Sequence, residues 1–218
     1  KVDQHRYYNG TNTADYMIWA QLFSGGNSVR KRIALALSEF FVVSLSGLNL
    51  TWAASAMGEY WDILNRHAFG NFRDLLEDVT LNPAMGAFLN PRGNRRADPR
   101  SGRVPDENYA REVMQLFTIG LFELNSDGTQ KLAGNSPIET YTNADVSGLA
   151  RVFTGFDLDY SGTTPIVEVG GTRMIVDPEV VRRPMTSDPS RWQRPRSDGW
   201  HSTEEKLFLG LAIPAGTS

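Results

Sequence analysis

The sequence predicts a mainly α-helical, multi-helix single domain over residues 1–218, with a loop-rich C-terminal quarter carrying one or two short hairpins. Three observations lead there. Apolar residues recur at helical spacing in one segment after another up to about residue 156. Several of these segments begin on residues that cap or open helices, among them Ser28, Asn71, Asn82-Pro83 and Thr142. From Phe156 onward the periodicity fades, and Pro165, Pro178, Pro184, Pro189 and Pro195 punctuate the chain. The division is therefore a helical core over 1–156 and a loop-rich extension over 157–218.

The elements follow in order. Thr13 to Ser24 reads as a helix, with Tyr16, Met17, Ala20 and Phe23 at helical spacing and Gly25-Gly26 stopping it. Ser28 caps a second helix reaching about Ser46, apolar on most sides as a central helix is. A third runs from about Trp52 to His67. Asn71 caps a fourth carrying Phe72, Leu75, Leu76 and Val79, and Asn82-Pro83 opens a fifth. A long loop, Asn90 to Arg103, holds two Gly and two Pro; loops of this length are functional or disordered.

Pro105 and Asp106 open the best-defined helix, to about Ile119, with Gly120 as its C′ residue. Asp127-Gly128 marks a small hairpin within Leu121 to Lys131. Thr142 and Asp145 form a capping box with Asp in place of Glu, and the helix they start stops at Gly155. Phe117-Thr118 before Gly120 and Phe153-Thr154 before Gly155 share the same helix-ending chemistry. Ile166 to Val169 and Arg173 to Val176 pair as a hairpin around Gly170-Gly171, and Thr203 to Leu211 reads as a last short helix.

Composition narrows the function. The chain has 22 Lys+Arg and 25 Asp+Glu, a net charge of −3, with 40% apolar residues. This is globular composition, neither collagen-like, coiled-coil nor disordered. The absence of Cys excludes disulfides, thiolate zinc sites and iron–sulfur clusters. The longest apolar stretch, Ile33 to Leu50, is interrupted by Ser38, Glu39, Ser44, Ser46, Gly47 and Asn49, so no transmembrane segment is expected. The charge balance and the lack of a binding motif argue against nucleic acid. The absence of a P-loop, G-x-G-x-x-G or G-x-S-x-G argues against a nucleotide cofactor or a standard hydrolase.

The basic residues are unusual, because 18 of the 22 are Arg. One cluster is Arg92, Arg95, Arg96, Arg100 and Arg103; another is Arg182, Arg183, Arg191, Arg194 and Arg196. Arg suits bidentate recognition of carboxylate or phosphate, and solvated loops rich in Arg are the plainer reading. On the helix from Asp106, Asn108, Glu112 and Gln115 share a stripe with Arg111 beside it, which makes Asn108 a candidate ligand-binding residue, and Glu107 and Arg111 sit at i, i+4. Glu112 and Arg111 are candidates for a general base and an anion clamp, with a structural polar network as the alternative.

Glu39 lies in the most apolar helix and must be paired, protonated or exposed. His5, His67 and His201 have no zincin spacing; His201, with Asp198, Glu204 and Glu205 nearby in sequence, is a candidate for acid–base work. Asp98 and Glu107 are candidate oxygen ligands for calcium, with Asp106 and Asn108, without the EF-hand pattern. Trp192 and Trp200, set among Arg and Pro, are candidates for stacking a carbohydrate or a partner.

A set of stretches in fixed order carries a family resemblance. They are Arg32-Ile33-Ala34-Leu35-Ala36-Leu37-Ser38-Glu39-Phe40-Phe41, Phe69-Gly70-Asn71-Phe72-Arg73, Asn82-Pro83-Ala84-Met85, Glu107-Asn108-Tyr109-Ala110-Arg111-Glu112, Asp145-Val146 with Leu149-Ala150-Arg151, Thr154-Gly155-Phe156, and His201 with Lys206 and Leu209-Gly210. Together they resemble the bacterial family called domain of unknown function 1800 over nearly the whole chain. The resemblance implies a helical, exported (periplasmic or secreted) bacterial protein and carries over no established activity. Many relatives have an aromatic-His-Asn-His type segment where this chain reads Leu37-Ser38-Glu39-Phe40, so no metal role transfers there. Relatives continue beyond Gly210, so the chain is expected to be part of a longer one. The leading expectation is a binding module for a surface polymer (a polysaccharide) or a protein partner, through the Arg loops and late Trp residues. The alternatives are a hydrolase-like enzyme using Glu112, Arg111 and His201, and a structural subunit of a larger assembly.

Overall fold

The computed structural model describes residues 11–163, 167–169, 172–174 and 177–217. Its α-helices are α1 Thr11–Phe23, α2 Ser28–Phe41, α3 Ala53–Arg66, α4 Phe72–Leu81, α5 Pro83–Phe88, α6 Asn108–Glu112 and α7 Asn143–Val152. Three two-stranded antiparallel hairpins accompany them among the described residues: β1 Leu132–Ala133 with β2 Ser136–Pro137, β3 Val167–Val169 with β4 Thr172–Met174, and β5 Lys206–Phe208 with β6 Leu211–Ile213. The protein is mainly α, and its C-terminal quarter carries two of the hairpins. The chain forms two compact units, one from residues 1–92 and 156–199, the other from 93–155 and 200–218.

In the first unit the central helix is α3. It buries Ala53, Ala54, Ala56, Met57, Tyr60, Trp61, Ile63 and Leu64, and its small residues let α1 and α2 approach closely. The apolar pattern from Ser28 predicts the central helix there, yet α2 buries only Ala34 and Phe41 and ends at Phe41 rather than near Ser46. The β-branched pair Val42-Val43 follows, and the Ser44 and Ser46 hydroxyls bond each other at 2.9 Å, so local side-chain chemistry competes with the helix. The N-cap is Asn27, in a left-handed conformation with no side-chain cap bond, while Ser28 is already helical. Asn71 and Asn82 cap α4 and α5 through their side chains as expected, accepting from Arg73 and Ala84 N–H.

In the second unit α6 and α7 share a core of Ala110, Met114, Tyr141, Val146, Leu149 and Ala150. The helix from Asp106 differs from expectation: after Glu112 it continues as a π-helix, Val113–Thr118, and the Ile119 N–H reaches back five residues to the Met114 carbonyl. Gly120 closes it at φ 75°. Residues 121–140 form a small meander, with Glu123 bonded to both Lys131 and Ile138.

The expected helix over Thr203 to Leu211 is instead the β5–β6 hairpin. Its two-residue turn, Leu209-Gly210, has positive φ at both positions, as a type I′ turn requires. The capping box explains how a leucine is held there. Asp145 takes the Thr142 N–H at 2.7 Å and also the Leu209 N–H at 2.7 Å, so one carboxylate starts α7 and fixes the turn. Gly148 lets the hairpin lie directly on α7, since a Cβ there would collide with the Leu207 carbonyl. The hairpin expected between Ile166 and Val176 is present as β3 and β4, with Val169 opposite Thr172, so the second strand begins at Thr172 rather than Arg173; Ile166 and Val176 themselves lie outside the described residues.

Candidate anion-binding site

The loop after Arg92 is closed by one buried side chain. The Asn94 carboxamide accepts the Asp106 N–H at 2.8 Å and donates to the Asp106 carbonyl at 3.0 Å. Within the loop, Asp98 and Arg103 exchange backbone hydrogen bonds of 2.9 and 3.2 Å. The Asp98 carboxylate takes the Ser101 hydroxyl at 2.9 Å and the Arg100 N–H at 3.0 Å, which hold its carboxyl below the usual carboxylate range. The one carboxylate of the loop is thus committed to the loop's own turn.

The Arg103 charge also acts on Asp98, but no arginine of residues 95–103 forms an ion pair with it. Arg95, Arg96, Arg100 and Arg103 are all exposed, and none takes part in an ion pair among the described residues. Arg95 sits over the Trp200 ring, its guanidinium carbon 4.0 Å from the ring centroid. The Arg96 N–H donates to the Trp200 carbonyl at 2.7 Å, and Arg103 Nε donates to the Arg96 carbonyl at 3.2 Å.

Trp200 is itself held by the C-terminal end of α7. His201 Nδ1 lies 2.7 Å from the Thr154 carbonyl oxygen. A carbonyl only accepts, so Nδ1 carries a proton and donates. The Ser202 N–H donates to Thr154 Oγ1 at 2.8 Å, and the Gly155 N–H donates to the Asn94 carbonyl at 2.8 Å. Gly155 has φ 83°, and a Cβ on it would sit 2.6 Å from the His201 nitrogen. Loop, helix end and residues 200–202 are thereby locked together. One arginine fork held over an aromatic ring, with exposed arginines beside it in the loop, suits the planar recognition of carboxylate, sulfate or phosphate.

The other candidates are placed differently. Glu107 accepts from Arg111 at 3.3 Å and from the Ser147 hydroxyl, the i, i+4 pair that the spacing suggested. The Asn108 N–H donates to Asp106 at 2.8 Å. Glu112 Oε2 is buried with no hydrogen-bond partner. Arg111 lines a cavity of about 160 Å³ with Leu121, Phe122, Glu139, Tyr141, Thr142 and Asn143, and neither Glu112 nor His201 lines it. Asp98 and Glu107 have their oxygens engaged as described, and among the described residues no three His, Asp or Glu side chains are grouped to hold a metal ion. His67 bonds Asp78 at 2.7 Å, Glu39 is exposed, and His5 lies outside the described residues.

Trp192 and the second arginine cluster belong to the first unit. Trp192 is 3% exposed and donates its indole N–H to the Thr186 carbonyl at 3.0 Å, so its faces are packed and cannot stack a ligand. Arg182 pairs with Glu59 and Glu179, Arg191 with Asp159, and Arg196 with Asp198. The two clusters that look alike in sequence therefore divide residue by residue: Arg92 pairs with Asp157 at 2.9 Å and Arg182, Arg191 and Arg196 pair as above, while Arg95, Arg96, Arg100 and Arg103 take part in no ion pair among the described residues.

Fold and loop together define a mainly helical protein with an unpaired arginine site on a fixed aromatic support. The chain matches the model of a family described as Protein of unknown function (DUF1800) over residues 2–218, and it belongs to that family. No curated protein and no solved structure matches it. Among the described residues no helix is long and apolar enough to cross a membrane.

Proposed function

We propose that the protein is a non-enzymatic binding module of an exported bacterial protein, periplasmic or secreted. Its partner is anionic, an acidic surface polysaccharide or the acidic face of a protein. Arg95, Arg96, Arg100 and Arg103 supply the contacts, and Trp200 holds Arg95 in place. The observation that supports this reading is the set of four exposed, unpaired arginines on a loop closed by Asn94 and bonded to Trp200. Exposed guanidinium groups with no carboxylate partner raise the local concentration of anions and bind them bidentately. The hydrolase-like reading draws less support, because Arg111 lines its cavity without Glu112 or His201.

Electrophoresis through gels containing polygalacturonate, dextran sulfate or neutral dextran tests the proposal. Retardation by an acidic polymer and not by neutral dextran is expected, with loss of retardation in Arg95→Ala/Arg96→Ala. Equal retardation by neutral dextran, or none by either acidic polymer, contradicts it.

A second reading, a structural subunit of a larger assembly, is favoured by one separate observation. Large apolar side chains of α1 and α2, including Tyr16, Trp19, Phe23 and Val29, are exposed.

A further inference from the structure

We propose that the tip of the α1–α2 hairpin is a docking surface for an anionic lipid bilayer. Three independent features of residues 16–38 carry this inference.

The first is which face of α1 meets water. Gln21 accepts the Trp61 indole N–H at 3.0 Å, and Ala14 is buried, so the side of α1 that meets α3 is fixed. Tyr16, Trp19 and Phe23 fall at i, i+3 and i+7 on an exposed stripe, 76%, 54% and 82% exposed. Tyr16 and Phe23 belong to the helical spacing read in the sequence, and the structure turns both outward. Trp19 stacks on Phe23 with ring centroids 5.7 Å apart. Across the Gly25-Gly26 turn, Val29 is 63% exposed, so both arms present apolar groups at the tip.

The second is charge. Between Asp15 and Glu39 there is no acidic residue, while Arg30, Lys31 and Arg32 follow the tip directly. Arg30 donates to the Asn65 carbonyl and lies over the Phe69 ring, and Lys31 donates to Ser24. No carboxylate pairs with any of the three among the described residues, so their charges are not neutralised. The tip is complementary to a negatively charged headgroup layer.

The third is size. α1 has 13 residues and α2 has 14, and neither can cross a bilayer, for which roughly 20 apolar residues are needed. An aromatic and aliphatic tip with basic residues behind it inserts to the depth of the headgroup–acyl boundary instead. This surface lies in the first unit and does not depend on the arginine loop of the second.

The test is sedimentation of the full chain with phosphatidylcholine vesicles, with and without phosphatidylglycerol, and quenching of tryptophan emission by acyl-chain-brominated lipid. Binding to the anionic vesicles with quenching is expected. Phe23→Ser/Val29→Ser, at exposed positions, should weaken binding at least roughly tenfold, and Trp19→Phe should remove most of the quenching. Phe23→Ser/Val29→Ser should leave retardation by polygalacturonate unchanged, which separates this surface from the arginine loop. No association with anionic vesicles overturns the proposal. So does binding without quenching, or binding unaffected by Phe23→Ser/Val29→Ser. A wild-type dimer that this double variant converts to a monomer also overturns it, in favour of a second copy covering the tip.

Discussion

The Arg95 guanidinium lies 4.0 Å from the centre of the Trp200 ring, and the backbone of the next residue, Arg96, is bonded to the Trp200 carbonyl. A long, flexible cationic side chain is thus held on a fixed support before any ligand arrives. Ordering it beforehand lowers the entropy cost of binding.

Trp200→Ala removes that support and leaves all four arginines in place. Affinity for an acidic polymer should fall about two- to fivefold, the equivalent of ~0.5–1 kcal/mol for an exposed cation–π contact. Trp192→Ala should behave differently. It empties a buried site and should cost roughly 3–5 kcal/mol of stability. Urea denaturation and polymer titration of both variants separate the two tryptophans.

Gly155→Ala should destabilise the second unit. The residue needs φ 83°, and the new Cβ would sit 2.6 Å from backbone nitrogen. We expect a loss of roughly 2–4 kcal/mol, strain and clash together, seen as a lower urea midpoint with an unchanged slope. Gly93→Ala, also at positive φ but with nothing within 4 Å of its Cβ, should lose only the strain part of that.

Acid should weaken the fold partly through Asp145. The Thr142 hydroxyl first, then the Thr142 and Leu209 N–H groups, hold its carboxyl below the ordinary value of 3.8, against a smaller opposing push from burial. The unfolded chain therefore takes up the proton at higher pH than the folded one. This contribution is fully present above the ordinary value and is lost as pH falls through the lower folded value. Asp145→Asn should cost about 1 kcal/mol at neutral pH and flatten the decline of Tm between about pH 5 and about pH 2. Asp98, Asp127, Asp159 and Asp188 are held low as well, so the slope should shrink without vanishing.

Lys206 is 2% exposed, and its ammonium donates to the Thr217 carbonyl at 3.0 Å with no carboxylate partner among the described residues. Burying a charge with one neutral acceptor is costly. Lys206→Met keeps the stem's volume and should leave stability within about 1 kcal/mol of wild type. Lys206→Ala opens a cavity and should cost about 2–4 kcal/mol. Thermal unfolding of both variants checks the contrast.

What the sequence made legible was local chemistry. Asn71, Asn82-Pro83, the Thr142–Asp145 box and the glycines at 120 and 155 start or end helices within a few residues of themselves, and in that role each does what its type dictates. The helix end at Thr118 and the one at Thr154 even share a hydroxyl bonded back to a carbonyl. The π-helix after Glu112 was not legible, because shifting a hydrogen bond by one residue leaves no mark on composition. Nor was the β5–β6 turn, where a Leu at φ 49° is held by Asp145, distant in sequence. The same holds for the site. Both arginine clusters were visible, but which arginines are free depends on Glu59, Asp157, Asp159 and Glu179, and three of these lie far from the arginines they pair with. Trp192 and Trp200 looked equivalent for the same reason.

The most direct test of the arginine site is titration calorimetry of polygalacturonate into the wild-type chain and into Arg95→Ala/Arg96→Ala/Arg100→Ala/Arg103→Ala, at low and high salt. The account predicts binding that weakens with salt and falls by at least roughly 100-fold in the variant. Wild-type binding that is absent, or an affinity that the four substitutions leave unchanged, would contradict it.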